Sequence, residues 1–345
     1  MNASSTLSRK KTEFAGLRSL AQCGGCAAKA SPETVALLAQ IAAAAGAEPS
    51  TLVGLTPCDD AAVYALDAER ALIATVDFFP PLVDDPADYG AIAAANAVSD
   101  VYAMGGEVAF ALAMSGFPKS VPAEILAQVA SAAADVMRQC GGLVLGGHSI
   151  RCAEPVFGLC VLGFVHPERI WRKSGARPGD VLVLSKALGT GLLVSANRPE
   201  LLGAAIASMK KTNRESADVL RALERPPHAV TDISGFGLLG HLYEMAQQAG
   251  VTAMVDSRRL PCLPGALAVA QSGVRTSAHA QLPPADRAIE FADTVAADLR
   301  AVCADPQTSG GLLAAVAADD ADRLTNKGFV RIGTVAAGPG RVVVS

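Results

Sequence analysis

The chain contains the sequence PADYGAIAAANAVSDVYAMGG at residues 86–106. A proline at the start and two glycines at the end predict a single helix over residues 86–104. Asn96 and Asp100 lie four residues apart, so they share one face of that helix. Their neighbours are almost all apolar, and an ionised carboxylate in such a setting needs a partner. The stretch therefore predicts a buried helix whose polar pair faces a metal ion or another charged group.

Strands are predicted on both sides of this helix. Apolar runs at residues 61–65 and 71–78 precede it, and a run from Glu107 to Ser115 follows it. Beyond these lie a helix from Pro122 to Gln139 and strands at 142–146 and 156–165. Upstream, Ser31, Pro32 and Glu33 are typical of a helix start, which predicts a helix to about residue 45. A polar stretch rich in turn residues, 166–180, indicates a domain boundary.

The second half repeats the mixture of elements. The predicted strands cover residues 181–185, 251–256, 311–316, 329–335 and 341–344. The predicted helices cover residues 188–196, 199–210, 214–224, 235–249 and 318–326, and a loop is expected at 229–234. This alternation predicts a mixed α/β or α+β fold. We expect a flexible segment at 1–30, one domain at 31–168 and a second at 169–345.

Composition excludes several classes of protein. The 345 residues exceed what one core usually covers, which favours two domains. The net charge is -4, and no basic run longer than Arg9-Lys10-Lys11 occurs, so we expect no nucleic-acid partner. No apolar stretch of membrane-spanning length and no signal peptide is recognisable. We therefore expect no membrane association and a cytoplasmic location.

A cysteine-containing loop is the first candidate for chemistry. Cys26 follows two glycines, and Lys29 lies three residues beyond it. A nearby ammonium group favours the thiolate form of a cysteine. From spacing alone, Cys23 and Cys26 could equally be incidental loop cysteines. A zinc site is rejected because no second pair of cysteines or histidines completes four ligands.

Acidic residues at turns and element ends are the second candidate. Asp59 and Asp60 precede a predicted strand, Asp77 ends one, and Asp232 lies just before a helix. Each alone is typical of a helix cap or a solvated strand end. Together with Asp100, they could converge on magnesium and phosphate oxygens, which would satisfy all of the carboxylates at once.

Glycine-rich turns are the third candidate, because they expose backbone N–H groups to phosphate. They lie at residues 146–149, 234–237 and 308–311. None matches the phosphate-binding loop of nucleotide triphosphatases, and each alone is typical of an ordinary tight turn. His148 is equally compatible with an acid–base or phosphate-binding role and with a structural one.

Taken together, these stretches resemble the selenophosphate synthetase family from about residue 22 to the end of the chain. Eight blocks carry the resemblance, in family order. They are Gly25-Cys26-x-x-Lys29-x-Ser31-Pro32, Asp59-Asp60-Ala61-Ala62-Val63, Thr75-x-Asp77-Phe78-Phe79, residues 95–106, Gly146-Gly147-His148-Ser149, Glu154-Pro155-x-Phe157-Gly158, residues 231–241 and residues 305–312.

The resemblance implies the two-domain fold of aminoimidazole ribonucleotide synthetase, a homodimer, and an ATP cleft between an acidic amino-terminal domain and the carboxy-terminal domain. It implies the reaction of ATP, selenide and water to selenophosphate, phosphate and AMP. The implied site comprises a reactive Cys26, an essential Lys29 that also contacts the nucleotide, magnesium ligands Asp60, Asp77, Asp100 and Asp232, and nucleotide contacts from Asp77, Asn96, Gly146, Gly147, His148 and Ser149. A monovalent cation, K⁺, is implied by the family alone.

The chain departs from the family pattern at three positions. Ala28 stands where many members have a second cysteine, Gln22 stands where bacterial relatives can have histidine, and Cys23 is additional. These departures weaken any mechanism that requires a cysteine pair or that histidine. The alternatives are another ATP-dependent kinase or synthetase of the same fold, and a non-catalytic nucleotide-binding relative.

Overall fold

The computed structural model describes residues 16–25, 34, 37, 40, 48–276 and 289–345. Cys26, Lys29 and most of the segment predicted to be flexible lie outside the described residues. The predicted helix at 31–45 also lies largely outside them, although Thr34, Leu37 and Gln40 are helical.

Six strands of the first half form one sheet, in the order β1-β2-β3-β6-β4-β5. Only the β4–β5 pair is parallel. The strands are β1 (Thr51–Leu55), β2 (Cys58–Ala65), β3 (Ala71–Phe79), β4 (Glu107–Phe117), β5 (Leu143–Arg151) and β6 (Val156–Val165).

Three helices accompany this sheet: α1 (Pro86–Ala97), α2 (Ser99–Ala103) and α3 (Ala123–Gln139). The Asp85 carboxylate caps α1 by accepting a hydrogen bond from the Asp88 N–H at 2.8 Å. Helices α1 and α3 pack closely because Gly90 lies against the backbone of Val129, where a Cβ would collide. The prediction of one helix over 86–104 is wrong in one respect. The backbone forms a turn at Val98 (φ -75°, ψ -15°), which divides this stretch into α1 and α2.

Seven strands of the second half form a second sheet, in the order β10-β13-β9-β12-β7-β11-β8. They are β7 (Val181–Leu184), β8 (Ala229–Asp232), β9 (Val251–Val255), β10 (Ile289–Phe291), β11 (Leu312–Val316), β12 (Val330–Ala337) and β13 (Arg341–Val344). The loop predicted at 229–234 is wrong for its first four residues, which form edge strand β8. All four are buried, and they pair with β11, a partner some 80 residues away that local sequence does not reveal.

The helices of the second half are α4 (Thr190–Ala196), α5 (Pro199–Lys210), α6 (Arg214–Arg221), α7 (Gly237–Ala249), α8 (Ala266–Gln271), α9 (Ala297–Cys303) and α10 (Ala318–Thr325). Strands β1 and β10 and helices α8 and α9 were not predicted from the sequence. In the part of the chain that the structure describes, no helix is both long and apolar enough to cross a membrane.

Buried polar contacts join the two halves. Asn213 donates to the Ser99 hydroxyl at 2.9 Å, and Lys173 pairs with Asp60 at 2.9 Å. The Ser309 N–H donates to the Asn96 side chain at 2.8 Å. These contacts place the predicted aspartates of the first sheet beside elements of the second.

Candidate active site

Asp60, near the start of β2, lies at the junction between the two halves. One oxygen, Oδ1, accepts from the Lys173 ammonium and from the Thr231 hydroxyl, each at 2.9 Å. The carboxylate is 3% exposed. Its other oxygen, Oδ2, is buried and has no hydrogen-bond partner among the described residues. A buried unpaired carboxylate oxygen is costly unless a ligand satisfies it.

Lys173 is surrounded by carboxylates. Its ammonium pairs with Glu244 at 3.0 Å as well as with Asp60, and its backbone N–H donates to Asp59. Burial alone would lower the pKa of Lys173, but the charges of Asp60, Glu244 and Asp59 raise that pKa well above its usual value. Burial, reinforced by the charge of Asp60, raises the pKa of Asp59 to about 6. Lys173 is therefore a fixed positive charge at this junction.

Asp77 and Asn96 form a second polar group. The Asn96 side-chain amide donates to Asp77 Oδ2 at 2.6 Å, while its carbonyl accepts from the Ser309 N–H at 2.8 Å. Asn96 is 1% exposed, so this amide is held rigidly between strand β3 and the glycine-rich turn before β11. Asp77 is thus bound to Asn96, which in turn is bound by the second half of the chain.

Asp100 lies beside this group. Its carboxylate accepts a hydrogen bond from the Thr75 hydroxyl at 2.6 Å. Thr75 and Asp77 are two residues apart on β3, so their side chains project from the same face of the sheet roughly 7 Å apart. The structure therefore brings Asp77, Asn96 and Asp100 together, as the sequence predicted.

Asp232 ends β8 next to Thr231, the residue that binds Asp60. It is 2% exposed and lies near Lys186, whose ammonium donates to the Ser309 carbonyl at 2.8 Å. Burial lowers the pKa of Lys186 to about 7, although the charge of Asp232 opposes that shift. Asp232 thus lies at the same junction as Asp60.

The four aspartates lie at the junction, but they do not by themselves form a metal site. Among the described residues, no three acidic, histidine or cysteine side chains are close enough to hold an ion by themselves. Magnesium, however, is usually held by one or two carboxylates together with substrate phosphates and water. The unpaired Asp60 Oδ2 is a suitable ligand atom for such an ion.

The glycine-rich segment at 146–149 is not a turn, which corrects the prediction. It lies within strand β5, because Gly147 allows the backbone to approach that of Ala113 on β4, where a Cβ would collide. Asp77, Leu159, Ala113 and Gly147 stand opposite one another across four strands. Three strand spacings separate Asp77 from Gly147, roughly 14 Å. Within a single copy of the chain, residues 146–149 therefore lie too far from the aspartates to share a ligand atom with them.

Residues 16–25, which we name the strap, precede Cys26 and contact both halves of the chain. The Gln22 N–H donates to Glu154 at 2.7 Å, and the Gly25 N–H donates to the Pro80 carbonyl at 3.0 Å. Gly25 also lies against the Thr308 hydroxyl.

Arg18 anchors the strap. Its backbone N–H donates to Asp84 at 3.1 Å. Its guanidinium donates to the Asn197 side chain at 2.5 Å and to the Val194 carbonyl at 2.7 Å, both at the carboxyl end of α4. A cation at a helix carboxyl end is favourable. The strap therefore spans from the first sheet to α4.

Comparison with known proteins decides the family. Residues 58–165 match the family model described as AIR synthase related protein, N-terminal domain, and residues 177–345 match that of the C-terminal domain. A selenide, water dikinase of Burkholderia pseudomallei is 45% identical over 352 residues, covering 97% of this chain and 99% of that protein. One of Carboxydothermus hydrogenoformans is 41% identical, covering 96% and 99%. The chain belongs to the selenide, water dikinase family.

Solved structures agree on the fold of this dikinase family member. A structure described as "AaThiL complexed with AMPPCP and TMP" has a TM-score of 0.68 at 20% identity, covering 91% of this chain and 93% of that one. At that identity the likeness concerns the fold alone. It confirms the predicted aminoimidazole ribonucleotide synthetase-like fold.

Three charged residues of this junction were not predicted from the sequence: Lys173, Glu244 and Lys186. Lys173 lies in the polar stretch interpreted as a domain boundary, where a lysine is usually solvated. Glu244 lies on α7, and only the packing of that helix beside Lys173 gives it a role. Lys186 follows the apolar run at 181–184, which was a recognisable signal for a buried lysine.

Proposed function

We propose that this chain is a selenophosphate synthetase, which converts ATP, selenide and water into selenophosphate, phosphate and AMP. The observation that carries the proposal is 45% identity to a selenide, water dikinase over nearly the whole of both chains. The convergence of Asp77, Asn96 and Asp100 at the junction supports it, because phosphoryl transfer needs fixed carboxylates around a metal–nucleotide complex.

Asp60, Asp77, Asp100 and Asp232 would hold magnesium together with the phosphates of ATP. The ion would supply positive charge that offsets the phosphates during transfer. The chain's own residues fix the ligands beforehand: Asn96 orients Asp77, Thr75 orients Asp100, and Lys173 and Thr231 hold one oxygen of Asp60. Preorganised ligands need little rearrangement at the moment of reaction.

Cys26 and Lys29, which follow the strap in sequence, supply the remaining chemistry. The Cys26 thiolate binds selenium, since a soft thiolate suits a soft chalcogen. Lys29 adds a compact positive charge beside the γ-phosphate. The strap's bonds to Glu154, Pro80 and α4 support this role, because they fix the chain immediately before Cys26. Hydrolysis of ADP follows in the same cleft.

The active unit is a homodimer formed through the uncovered face of the first sheet. Val76, Phe78 and Ile150 are 50%, 52% and 57% exposed on β3 and β5. Phe78, Gly158, Met114 and His148 stand opposite one another, so His148 lies on this same face. A large exposed apolar patch is typical of a protein interface. Gly146, Gly147, His148 and Ser149 contact nucleotide along edge strand β5, where residues 146 and 148 belong to the uncovered face and residues 147 and 149 to the opposite face.

The product nucleotide tests the proposal. The protein is incubated anaerobically with ATP and magnesium, with and without selenide, and nucleotides are separated by anion exchange. Release of AMP that depends on selenide supports selenophosphate synthesis. Conversion of ATP to ADP alone, unaffected by selenide, would instead indicate another kinase of this fold.

A further inference from the structure

Lys186 is a buried lysine whose side-chain nitrogen donates hydrogen bonds to main-chain carbonyl groups. It donates to the Ser309 carbonyl at 2.8 Å and to the Lys211 carbonyl, which lies at the carboxyl end of α5. Gly311 packs against the Lys186 backbone, where a Cβ would collide. Buried carbonyl groups need hydrogen-bond partners, and here one side chain supplies two of them. Lys186 therefore joins α5 to the glycine-rich turn at 308–311.

Ser309, within that turn, has a left-handed backbone conformation with φ of 51°. A residue with a side chain is disfavoured there, and it keeps such a conformation only where its surroundings hold it. Both main-chain groups of Ser309 are held, because its N–H donates to Asn96 and its carbonyl accepts from Lys186, each at 2.8 Å. The Gly310 carbonyl accepts from Asn213 at 2.8 Å. Lys186 and Asn213 therefore fix the conformation of the turn.

The turn connects Lys186 with a proposed magnesium ligand. The Asn96 side chain, which accepts from the Ser309 N–H, donates to Asp77 Oδ2 at 2.6 Å. Lys186, Ser309 and Asn96 are all buried, so water does not compete strongly for these bonds. Three hydrogen bonds in series therefore connect Lys186 with Asp77. Lys186 also lies near Asp232, so it stands between two of the proposed ligands.

We propose that Lys186 is a positioning residue for magnesium–nucleotide binding, which acts on Asp77 through Ser309 and Asn96. The proposal rests on the proposed function and deepens it, because it names a residue outside the ligand set that decides how well the ligands are placed. Substitution of residues that orient metal ligands commonly lowers metal affinity about 10–100-fold. Lys186 acts through an intervening residue, so the effect should lie at the lower end of that range.

Lys186→Met tests the proposal, because methionine is unbranched and of similar length but donates no hydrogen bond. The magnesium concentration that half-saturates AMPPCP binding, measured by calorimetry, should rise about tenfold. Hydrogen exchange of the nucleotide-free protein, followed by mass spectrometry, should show lost protection in residues 305–312, because the Ser309 N–H is no longer held in place.

Arg300→Met is the matched control. Arg300 also donates to two main-chain carbonyls, those of Val295 and Ala292, at 2.9 and 3.0 Å. These carbonyls follow β10, which forms the edge of the second sheet opposite the β8 edge that carries Asp232. Arg300→Met should keep the magnesium requirement within about twofold of that of the unsubstituted protein, since distant sites act independently. Protection of residues 305–312 should be unchanged.

A second substitution at Ser309 separates positioning from a general loss of stability. Glycine adopts the left-handed conformation without steric cost, so it needs less restraint from Lys186. The double variant Lys186→Met/Ser309→Gly should therefore recover about threefold or more of the lost magnesium affinity. Ser309→Gly alone gives the reference for any effect of glycine itself. If Lys186→Met does not fold, the double variant should fold and bind AMPPCP with magnesium.

The proposal is overturned by an unchanged magnesium requirement in Lys186→Met, by an equal rise in Arg300→Met, or by a double variant that fails to fold or is no better than Lys186→Met. Absence of magnesium-dependent AMPPCP binding in the unsubstituted protein would also overturn it. Neither measurement needs selenide or turnover. Failure to form selenophosphate, with these results as expected, would therefore contradict the proposed reaction and leave the role of Lys186 supported.

Discussion

Lys173 shows how a single residue organises the junction. Its ammonium is 6% exposed and lies between Asp60 and Glu244, and its backbone binds Asp59. Removal of one partner from a buried ion pair costs far more than the net contribution of the pair, because the remaining charge is left uncompensated. Here the loss of one cation would leave three carboxylates facing one another.

Lys173→Met should therefore lower the free energy of unfolding by about 3–5 kcal/mol, the range for breaking a buried pair. The double variant Lys173→Met/Glu244→Gln removes one of the carboxylate charges left without a cation, so it should recover part of the lost free energy of unfolding. Urea unfolding followed by circular dichroism measures both. Equal stability of Lys173→Met and the unsubstituted protein would show that Lys173 does not stabilise the junction.

Asp100→Asn tests the metal set at the residue scale. The substitution keeps the hydrogen bond from Thr75 but removes the charge, so folding should be preserved while magnesium-dependent ATP binding weakens. We expect a loss of about tenfold or more, since one carboxylate commonly supplies one of only two protein ligands to magnesium. Calorimetry with AMPPCP at varied magnesium checks this. Unchanged affinity would remove Asp100 from the metal ligands.

Cys26→Ser separates the two substrates. Serine is close in size to cysteine but is not a soft nucleophile, so selenide-dependent turnover should fall by roughly a hundredfold or more while AMPPCP affinity stays within about twofold. Cys23→Ser is the matched control, because Cys23 lies on the strap and is additional to the family pattern. Normal turnover by Cys26→Ser, or an equal loss in Cys23→Ser, would contradict the assignment.

At the scale of elements, the start of α4 is stabilised by a buried pair from the segment before β11. Gln307 accepts from the N–H groups of Gly189 and Thr190 at 3.1 Å and donates to Asp305 at 2.9 Å. Burial raises the pKa of Asp305 to about 8. Asp305 is therefore protonated in the folded chain at neutral pH but ionised in the unfolded chain.

This raised pKa predicts a pH dependence of stability. The contribution of Asp305 is fully present below about pH 4, the ordinary pKa of aspartate, and is lost as the pH rises through about 8. Asparagine mimics the protonated carboxyl group. Asp305→Asn should therefore reduce the loss of unfolding free energy between pH 5 and 8, by up to about 1.4 kcal/mol per pH unit. Identical slopes in urea unfolding of the two proteins would contradict the buried neutral acid.

Sequence patterns predicted those elements whose signals are local. Three local signals predicted element bounds to within a few residues of those observed. They are the proline at residue 86, the apolar runs of β3 and β6, and the glycine after α7. Strand β8 was missed because its buried partner β11 is distant in sequence. Residues 146–149 were predicted to be a turn because of their glycines. Gly147 instead allows close contact with the β4 backbone, which is visible only once the sheet is formed.

The same limit applies to the site. The sequence predicted a shared site for Asp77, Asn96 and Asp100 because each is a polar residue in an otherwise apolar strand or helix. The structure brings these three residues together. Lys173 and Glu244 become partners only through the packing of two halves of the chain, which composition and periodicity do not encode.

At the scale of the whole molecule, the two faces of the first sheet differ. One face packs against α1 and α3, while the other exposes Val76, Phe78, Leu112 and Ile150. Leaving such a patch in water is unfavourable, and pairing of two copies would bury it. The open face therefore supports the proposed dimer and the placement of His148 within it.

Ile150→Asp should shift the protein from dimer to monomer, because an aspartate buried in an apolar interface without a partner is strongly disfavoured. Leu66→Asp is the matched control: Leu66 is similarly exposed but follows the end of β2, away from the Phe78–His148 row. Size-exclusion chromatography with light scattering distinguishes the species. A dimeric Ile150→Asp, or a monomeric Leu66→Asp, would contradict the interface.

Formation of the selenium–phosphorus bond tests the central claim most directly. Phosphorus NMR of the protein with ATP, magnesium and ⁷⁷Se-enriched selenide, kept anaerobic, should show a new phosphorus resonance split by selenium, accompanied by an equal amount of AMP. Consumption of ATP without a selenium-coupled phosphorus resonance would contradict selenophosphate synthesis.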